Sequence, residues 1–207
     1  MGVTVRSTNN IPRLKQVLRR LEGKEIHVGV FGEDNYQYGN DADLVTIAAV
    51  HEYGTTIRPK NAQYLTIPIA PEAKGKRAGD FSDLQPIGLD DGNGVLARVD
   101  GDNIQPVFAL VKSVTIPERS WLRTGFDSNV DNIADKMEDL IDDVVNFNID
   151  PDTFLDAIGT EFAGMIQRHM RTITSPPNAP ATVATKGSNK VLFDTGRLVG
   201  AIRHRLE

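Results

Sequence analysis

Apolar residues return every three or four positions early in the chain. Ile11, Leu14, Val17, Leu18 and Leu21 share one face, with Arg13, Lys15, Arg19 and Arg20 on the other. This spacing predicts an amphipathic helix, and Gly23 supplies its end. The period then falls to two: Ile26, Val28 and Val30 alternate with His27, Gly29 and Phe31, as in a half-buried strand stopped at Gly32. Residues 33–41 are polar and read as a loop. Leu44, Ile47, Ala48 and His51 predict a second helix over about 43–53, with Asp41 or Asp43 as N-cap and Gly54 ending it in the left-handed conformation. Residues 63–69 alternate again, with Tyr64, Thr66 and Pro68 opposite Leu65, Ile67 and Ile69, and predict a strand.

The next stretch, 71–83, carries Lys74-Gly75-Lys76-Arg77 and Gly79 and reads as a flexible loop. Apolar runs at 86–89 and 95–99 flank Asp90-Asp91-Gly92-Asn93-Gly94, a strong hairpin signal because the tight turn needs positive φ. A second turn, Asp100-Gly101-Asp102-Asn103, leads into a third strand at 107–116. The meander over 84–116 reads as an elaboration of the same sheet.

Pro117 pre-sets the chain for a helix beginning near Arg119. Trp121, Leu122, Phe126, Val130, Ile133, Met137, Leu140, Ile141 and Val144 form its stripe. Asp150-Pro151 breaks it, and Asp152 or Thr153 is the expected cap of a helix carrying Phe154, Leu155, Ile158, Phe162, Met165, Ile166 and Met170. Ser175-Pro176-Pro177 ends that helix. Residues 178–189 are poor in bulky apolar side chains and are predicted to be mobile. Asp194-Thr195-Gly196 reads as a tight turn before a last strand with Ile202, His204 and Leu206.

These elements give an α+β fold: an antiparallel sheet packed with two long helices and a shorter one, with an inserted β-meander. One domain is expected over 1–207, with 71–116 as a loop and meander insertion. No Gly-rich strand-to-helix turn marks a doubly wound nucleotide fold.

The chain's 207 residues, 40% hydrophobic and 25% charged, suffice for a full core. With no cysteine there is no disulfide framework, thiolate zinc site or cysteine nucleophile. Residues 1–10 lack the apolar core of a signal peptide, and no run approaches the roughly 20 apolar residues of a membrane span. The expectation is a protein made in a cytoplasm, with no membrane partner.

The net charge of −5 speaks against a dedicated nucleic-acid binder, but the charges are segregated. Asp127, Asp131, Asp135, Glu138, Asp139, Asp142, Asp143, Asp150 and Asp152 are opposed only by Lys136. Asp131, Asp135, Glu138, Asp139 and Asp142 thus form an acidic outer face, a candidate subunit interface or channel wall. Arg168, His169 and Arg171, then Arg197, Arg203, His204 and Arg205, are basic. This segregation has two readings. One is solvated faces with favourable helix-end charges. The other is head-to-tail packing of identical subunits, which closes into a ring where the rotation permits.

His51-Glu52 is half of a zinc-protease motif, but Thr55 stands where the second histidine is required. His27, His169 and His204 are scattered. The Asp/Gly turns lack the later glutamate of a calcium loop. There is no Gly-x-Ser-x-Gly elbow and no phosphate-cradling Gly-x-x-x-x-Gly-Lys-Ser/Thr. No catalytic, cofactor-binding or metal residue is singled out, and the expectation is a non-enzyme without cofactor. Two alternatives remain: a metal-dependent hydrolase centred on His51 and Glu52, or a DNA-binding accessory protein using Arg13, Arg19, Arg20 and the terminal arginines, with steeply salt-dependent binding.

Three stretches occur in a telling order: Ala48-Ala49-Val50-His51-Glu52-Tyr53-Gly54-Thr55, then Ile116-Pro117-Glu118-Arg119-Ser120-Trp121-Leu122-Arg123, then Leu192-Phe193-Asp194-Thr195-Gly196-Arg197-Leu198. In this order the chain resembles the tail-completion, head–tail joining and virion-morphogenesis (neck) proteins of tailed bacteriophages. Trp121 stands where Phe is commoner in that family, and the meander at 84–116 is longer than in its smallest members. The resemblance implies a structural, non-catalytic α+β subunit. It implies a homo-oligomeric ring, often of six, at the head–tail junction or the top of the tail. Implied partners are neighbouring neck, tail-terminator and tail-tube proteins, with transient, non-specific passage of DNA through the channel. Assembly in the bacterial host cytoplasm and a place in the virion follow. His51, Glu52, Tyr53, Gly54, Pro117, Arg119, Trp121, Leu122, Asp194, Thr195, Gly196 and Leu198 become fold-setting or interface positions.

Overall fold

The computed structural model describes residues 9–32, 42–89 and 93–207. The predicted loop at 33–41 and the centre of the first hairpin turn lie outside them. The order is α1 (Ile11–Leu21), β1 (Ile26–Gly29), α2 (Leu44–Tyr53), β2 (Thr55–Ile57), β3 (Leu65–Pro68), β4 (Gln85–Ile87), β5 (Gly94–Asp100), β6 (Asn103–Val111), β7 (Val114–Ile116), α3 (Arg123–Asp127), α4 (Val130–Val145), α5 (Pro151–Thr172), α6 (Pro180–Lys186), α7 (Arg197–Gly200) and β8 (Arg203–Leu206). The fold is α+β, its described strands all pair antiparallel, and α4 and α5 are the two long helices.

The strands do not form the single sheet expected. They divide into β1–β8, β2–β7 and a four-stranded sheet ordered β3-β6-β5-β4. The predicted third strand at 107–116 is interrupted at Lys112-Ser113, and its two halves serve different sheets: β6 pairs with β5 and β3, while β7 pairs with β2. A second small core accompanies this division. Ala73, Val107 and Phe108 are buried together, with Phe81, Leu84 and Leu96 against them. The stretch 71–83, expected to be a flexible loop, holds two 3-10 turns, Pro71–Ala73 and Ala78–Asp80, because Ala73 and Phe81 cover the sheet.

The main core surrounds α5. Phe154, Leu155, Ile158, Phe162, Met165, Ile166 and Met170 are buried along it, and Val17, Leu44, Ala48, Trp121, Ile133, Val144, Leu198, Val199 and Ile202 pack around them. α5 needs room on its sheet side. A Cβ on Gly159 would lie 2.3 Å from the His204 ring of β8, so glycine sets how closely helix and strand approach.

The α2 cap is one of the two expected residues, and several other boundaries differ from expectation. Asp43 caps α2, accepting from the Thr46 N–H at 2.7 Å. Gly54 has φ +67° but an extended ψ of 164°, not the left-handed helical pair. A Cβ there would also stand 2.6 Å from the Glu118 nitrogen. The long stripe from 121 is two helices, α3 and α4, separated at Ser128-Asn129, and the first starts at Arg123 because Trp121 and Leu122 pack beside α2 first. Asp150, not Asp152 or Thr153, caps α5: Pro151 takes the first helical position, where its missing N–H costs nothing, and the Asp150 side chain accepts from Asp152 N–H. The stretch 178–189, expected to be mobile, contains α6, ended by Gly187 in the left-handed conformation. Pro180 suits the first helical turn, and Ala181 and Ala184 favour the helix without bulky side chains.

Candidate functional site

The first two motif stretches meet at Glu52, and the third lines a cavity beside His51. An α-helix leaves its last carbonyls without partners. Here the segment 119–123 supplies them for α2. The Arg119 N–H donates to the His51 carbonyl at 2.8 Å, the Trp121 indole N–H to the Ala48 carbonyl at 3.3 Å, and Arg123 Nη2 to the Glu52 carbonyl at 3.2 Å. Gly54 lets the chain turn closely enough past Glu118 for this cap to form.

The Glu52 side chain completes the clasp. It is 2% exposed, yet both oxygens are satisfied. Oε1 accepts from the Ser120 hydroxyl at 2.8 Å, from Arg123 Nε at 2.9 Å and from the Arg123 N–H at 3.1 Å, while Oε2 accepts from the Leu122 N–H at 2.8 Å. Burial alone pushes this carboxyl up. The donors of Leu122, Arg123 and Ser120 outweigh it and hold the group below the usual carboxylate range. Arg123 also reaches Glu118 at 2.6 Å and lies 4.8 Å from the ring of the exposed Tyr53.

Arg119 is the link onward. It is buried, and its guanidinium finds no carboxylate among the described residues. Nε donates to the Pro176 carbonyl at 2.8 Å and Nη2 to the Pro177 carbonyl at 3.0 Å. Burial pulls its pKa down from the ordinary arginine value. Arg119 thus takes backbone carbonyls as its partners, while Trp121, two residues on, is almost fully buried in the core. The carbonyls that Arg119 holds lead into Asn178, whose amide donates to the Lys190 carbonyl at 3.1 Å just before the third stretch.

The third stretch closes the circle through a cavity of about 580 Å³. His51, Leu44 and Ile47 of α2 line one side, Lys186 of α6 another, and Leu192, Asp194, Gly196 and Leu198 a third. Leu198 is buried in the core, Asp194 and Thr195 are exposed, and Gly196 with φ +78° turns the chain into α7.

His51 Nδ1 is buried without a hydrogen-bond partner. Burial, with Arg119 and Lys186 nearby, lowers its pKa from 6.5 to about 4. The unfolded chain therefore takes up this proton near pH 6.5 while the folded protein resists it. The stability is full above pH 6.5 and declines as pH falls toward 4, by up to roughly 2–3 kcal/mol. Urea midpoints at pH 7.0 and pH 5.0 should differ more for the parent than for His51→Asn. Equal slopes for the two would refute the assignment.

The acidic face stands where expected. Asp131, Asp135, Glu138, Asp139 and Asp142 are exposed on α4, and among the described residues none has an ion-pair partner. Lys136 turns instead to Glu161 at 3.6 Å. The basic surfaces are more engaged than the sequence implies. Arg20 binds Asp150 and Asp152 at 2.5 and 2.6 Å, Arg13 lies 4.2 Å from the Phe147 ring, His204 meets Asp156 at 3.0 Å, and Arg203 and Arg205 lie near the Phe31 ring.

Sequence reasoning quoted Ser120 and Arg123 within a motif but assigned them no role, and it missed Asn178 and Gly159. Their partners lie 11 to 71 positions away, so no local periodicity reports them. Among the described residues no group of three His, Cys, Asp or Glu is placed to hold a metal, and no helix is long and apolar enough to cross a membrane. No protein-family model, curated protein or solved structure matches this chain.

Proposed function

We propose that the chain is a non-catalytic structural subunit of a tailed-phage particle, acting as one copy in a ring at the head–tail junction or the top of the tail. In the family it resembles, such rings often have six members. The ring joins head and tail and leaves a channel through which DNA passes without specific recognition. Neck, tail-terminator and tail-tube proteins are its neighbours.

One observation carries this reading: the polar groups of Glu52 and of the second motif stretch are used within the protein, while a row of carboxylates on α4 is left outside. Glu52, Ser120, Arg119, Arg123 and the Trp121 indole bond to one another or to backbone. A glutamate that is 2% exposed and already accepts four hydrogen bonds is poorly placed to reach a substrate or metal, which weighs against the hydrolase alternative. Arg20, part of the DNA-binding alternative, is held by two aspartates. The exposed α4 face supports the ring in either of two ways. It repels phosphates, so that DNA slides past a channel wall, or it meets cations of another subunit.

The test is to image particles assembled without this protein. Separate heads and tails, or unfinished tails, are expected. Normal infectious particles would overturn the proposal.

A further inference from the structure

The β5–β6 hairpin is fixed at its base and bare at its tip. Arg98 donates to Asp83 at 2.5 Å and to Glu72 at 2.9 Å, and its guanidinium lies 5.6 Å from the Phe81 ring. Strand register continues to Asp100 opposite Asn103, so the hairpin is closed to its last pair. Beyond Arg98, however, burial ends. Val99 and Ile104 are paired across the strands and are 39% and 50% exposed. Asp100 and Asp102 beside them are exposed too, with no ion-pair partner among the described residues. An anchored element thus presents two branched apolar side chains and two carboxylates to solvent. Because the strands stay in register to the tip, these four side chains are presented together.

The cavity between the first and third motifs has the opposite character. Ile47, Ile67 and Leu192 make an apolar wall, while Lys74 and Lys186 outnumber the carboxylate of Asp194 among its described lining residues. Arg119 adds positive charge from behind: its N–H donates to the His51 carbonyl at 2.8 Å and its guanidinium reaches Asn178 Oδ1 at 3.5 Å, and both partners line the cavity. The cavity matches an acidic ligand with branched apolar side chains, and the hairpin tip is one.

We infer that the cavity receives the β5–β6 hairpin tip of a second copy of this chain, Val99 and Ile104 entering the apolar wall while Asp100 and Asp102 meet Lys74 and Lys186. The contact joins two different surfaces, so it is head-to-tail and each copy keeps one free tip and one free cavity for the next. The inference rests on the ring reading above and supplies the surfaces through which copies meet.

The chain has no cysteine, so introduced thiols report without background. Ile104→Cys and Thr182→Cys, the latter at the cavity, are mixed at high concentration and oxidised. A dimer joining one of each is expected in excess over either homodimer. Ile104→Asp is expected to weaken self-association about tenfold or more by sedimentation, with the thermal melt unchanged because the position is exposed. Multimers that form without the mixed disulfide and are indifferent to Ile104→Asp overturn the hairpin inference and leave the ring reading intact. A chain that stays monomeric at high concentration without cross-linking also overturns the inference, while the ring reading is then decided by the particles lacking the protein.

Discussion

Glu52→Ala is expected to destabilise the fold by about 2–4 kcal/mol, the scale for stranding two or three partly buried donors, because the Arg123 side chain itself is half exposed. The carboxylate accepts hydrogen bonds from Ser120, Leu122 and twice from Arg123 in a place water does not reach. Truncation strands these donors, and each buried unsatisfied group costs about 1–3 kcal/mol. Arg123 retains Glu118, which softens the loss on that side. Glu52→Gln preserves shape but turns an NH₂ toward N–H donors, so its effect should be intermediate. Because the folded carboxyl titrates below its ordinary value of 4.5, its contribution is present above that pH and is lost as pH falls through the folded value. Glu52→Gln should remove this acid dependence. An unchanged urea midpoint for Glu52→Ala would show that the clasp does not hold the fold.

Trp121→Ala is expected to cost about 3–5 kcal/mol, and Trp121→Phe only about 1–2 kcal/mol. The indole is 1% exposed and lies where α2 meets the main core. Alanine leaves a cavity there, whereas phenylalanine keeps most of the apolar contact and loses the bond to the Ala48 carbonyl. Trp121 is the only tryptophan in the chain, so its fluorescence follows unfolding of the parent at this point, and far-ultraviolet circular dichroism follows the variants. Similar losses for both substitutions would mean that the hydrogen bond, not the packing, dominates.

What could be read from the sequence was what local periodicity encodes. α1 matches its predicted start and end, and the apolar face of α5 was legible down to Met170, because helix spacing and caps are short-range signals. The partition of strands was not. Nothing near Lys112-Ser113 announces that the two halves of one apolar run pair with different partners, β5 and β3 on one side and β2 on the other. The stretch 71–83 looked mobile for its Lys-Gly-Lys-Arg run and 178–189 because it lacks bulky side chains, yet Ala73 is wholly buried and Asn178 bridges two segments. The motif positions were visible as unusual sequence. Their physical role was not, since a helix-end carboxylate looks the same whether it faces solvent or a ring of donors contributed from 68 to 71 residues away.

The pairing of β1 with β8 has a consequence during synthesis. Ile26 opposes Leu206, and Glu25 and Glu207 exchange backbone hydrogen bonds just outside the ribbon. Both strands lie against α5. A nascent chain that has emerged only through α5 has a strand without a mate and a helix with part of its greasy side uncovered. It must wait until residues 203–206 leave the ribosome, and such half-finished species are the ones most prone to aggregate. Folding of this unit is therefore expected to finish only once residues 203–206 have emerged, with chaperone engagement concentrated before that point.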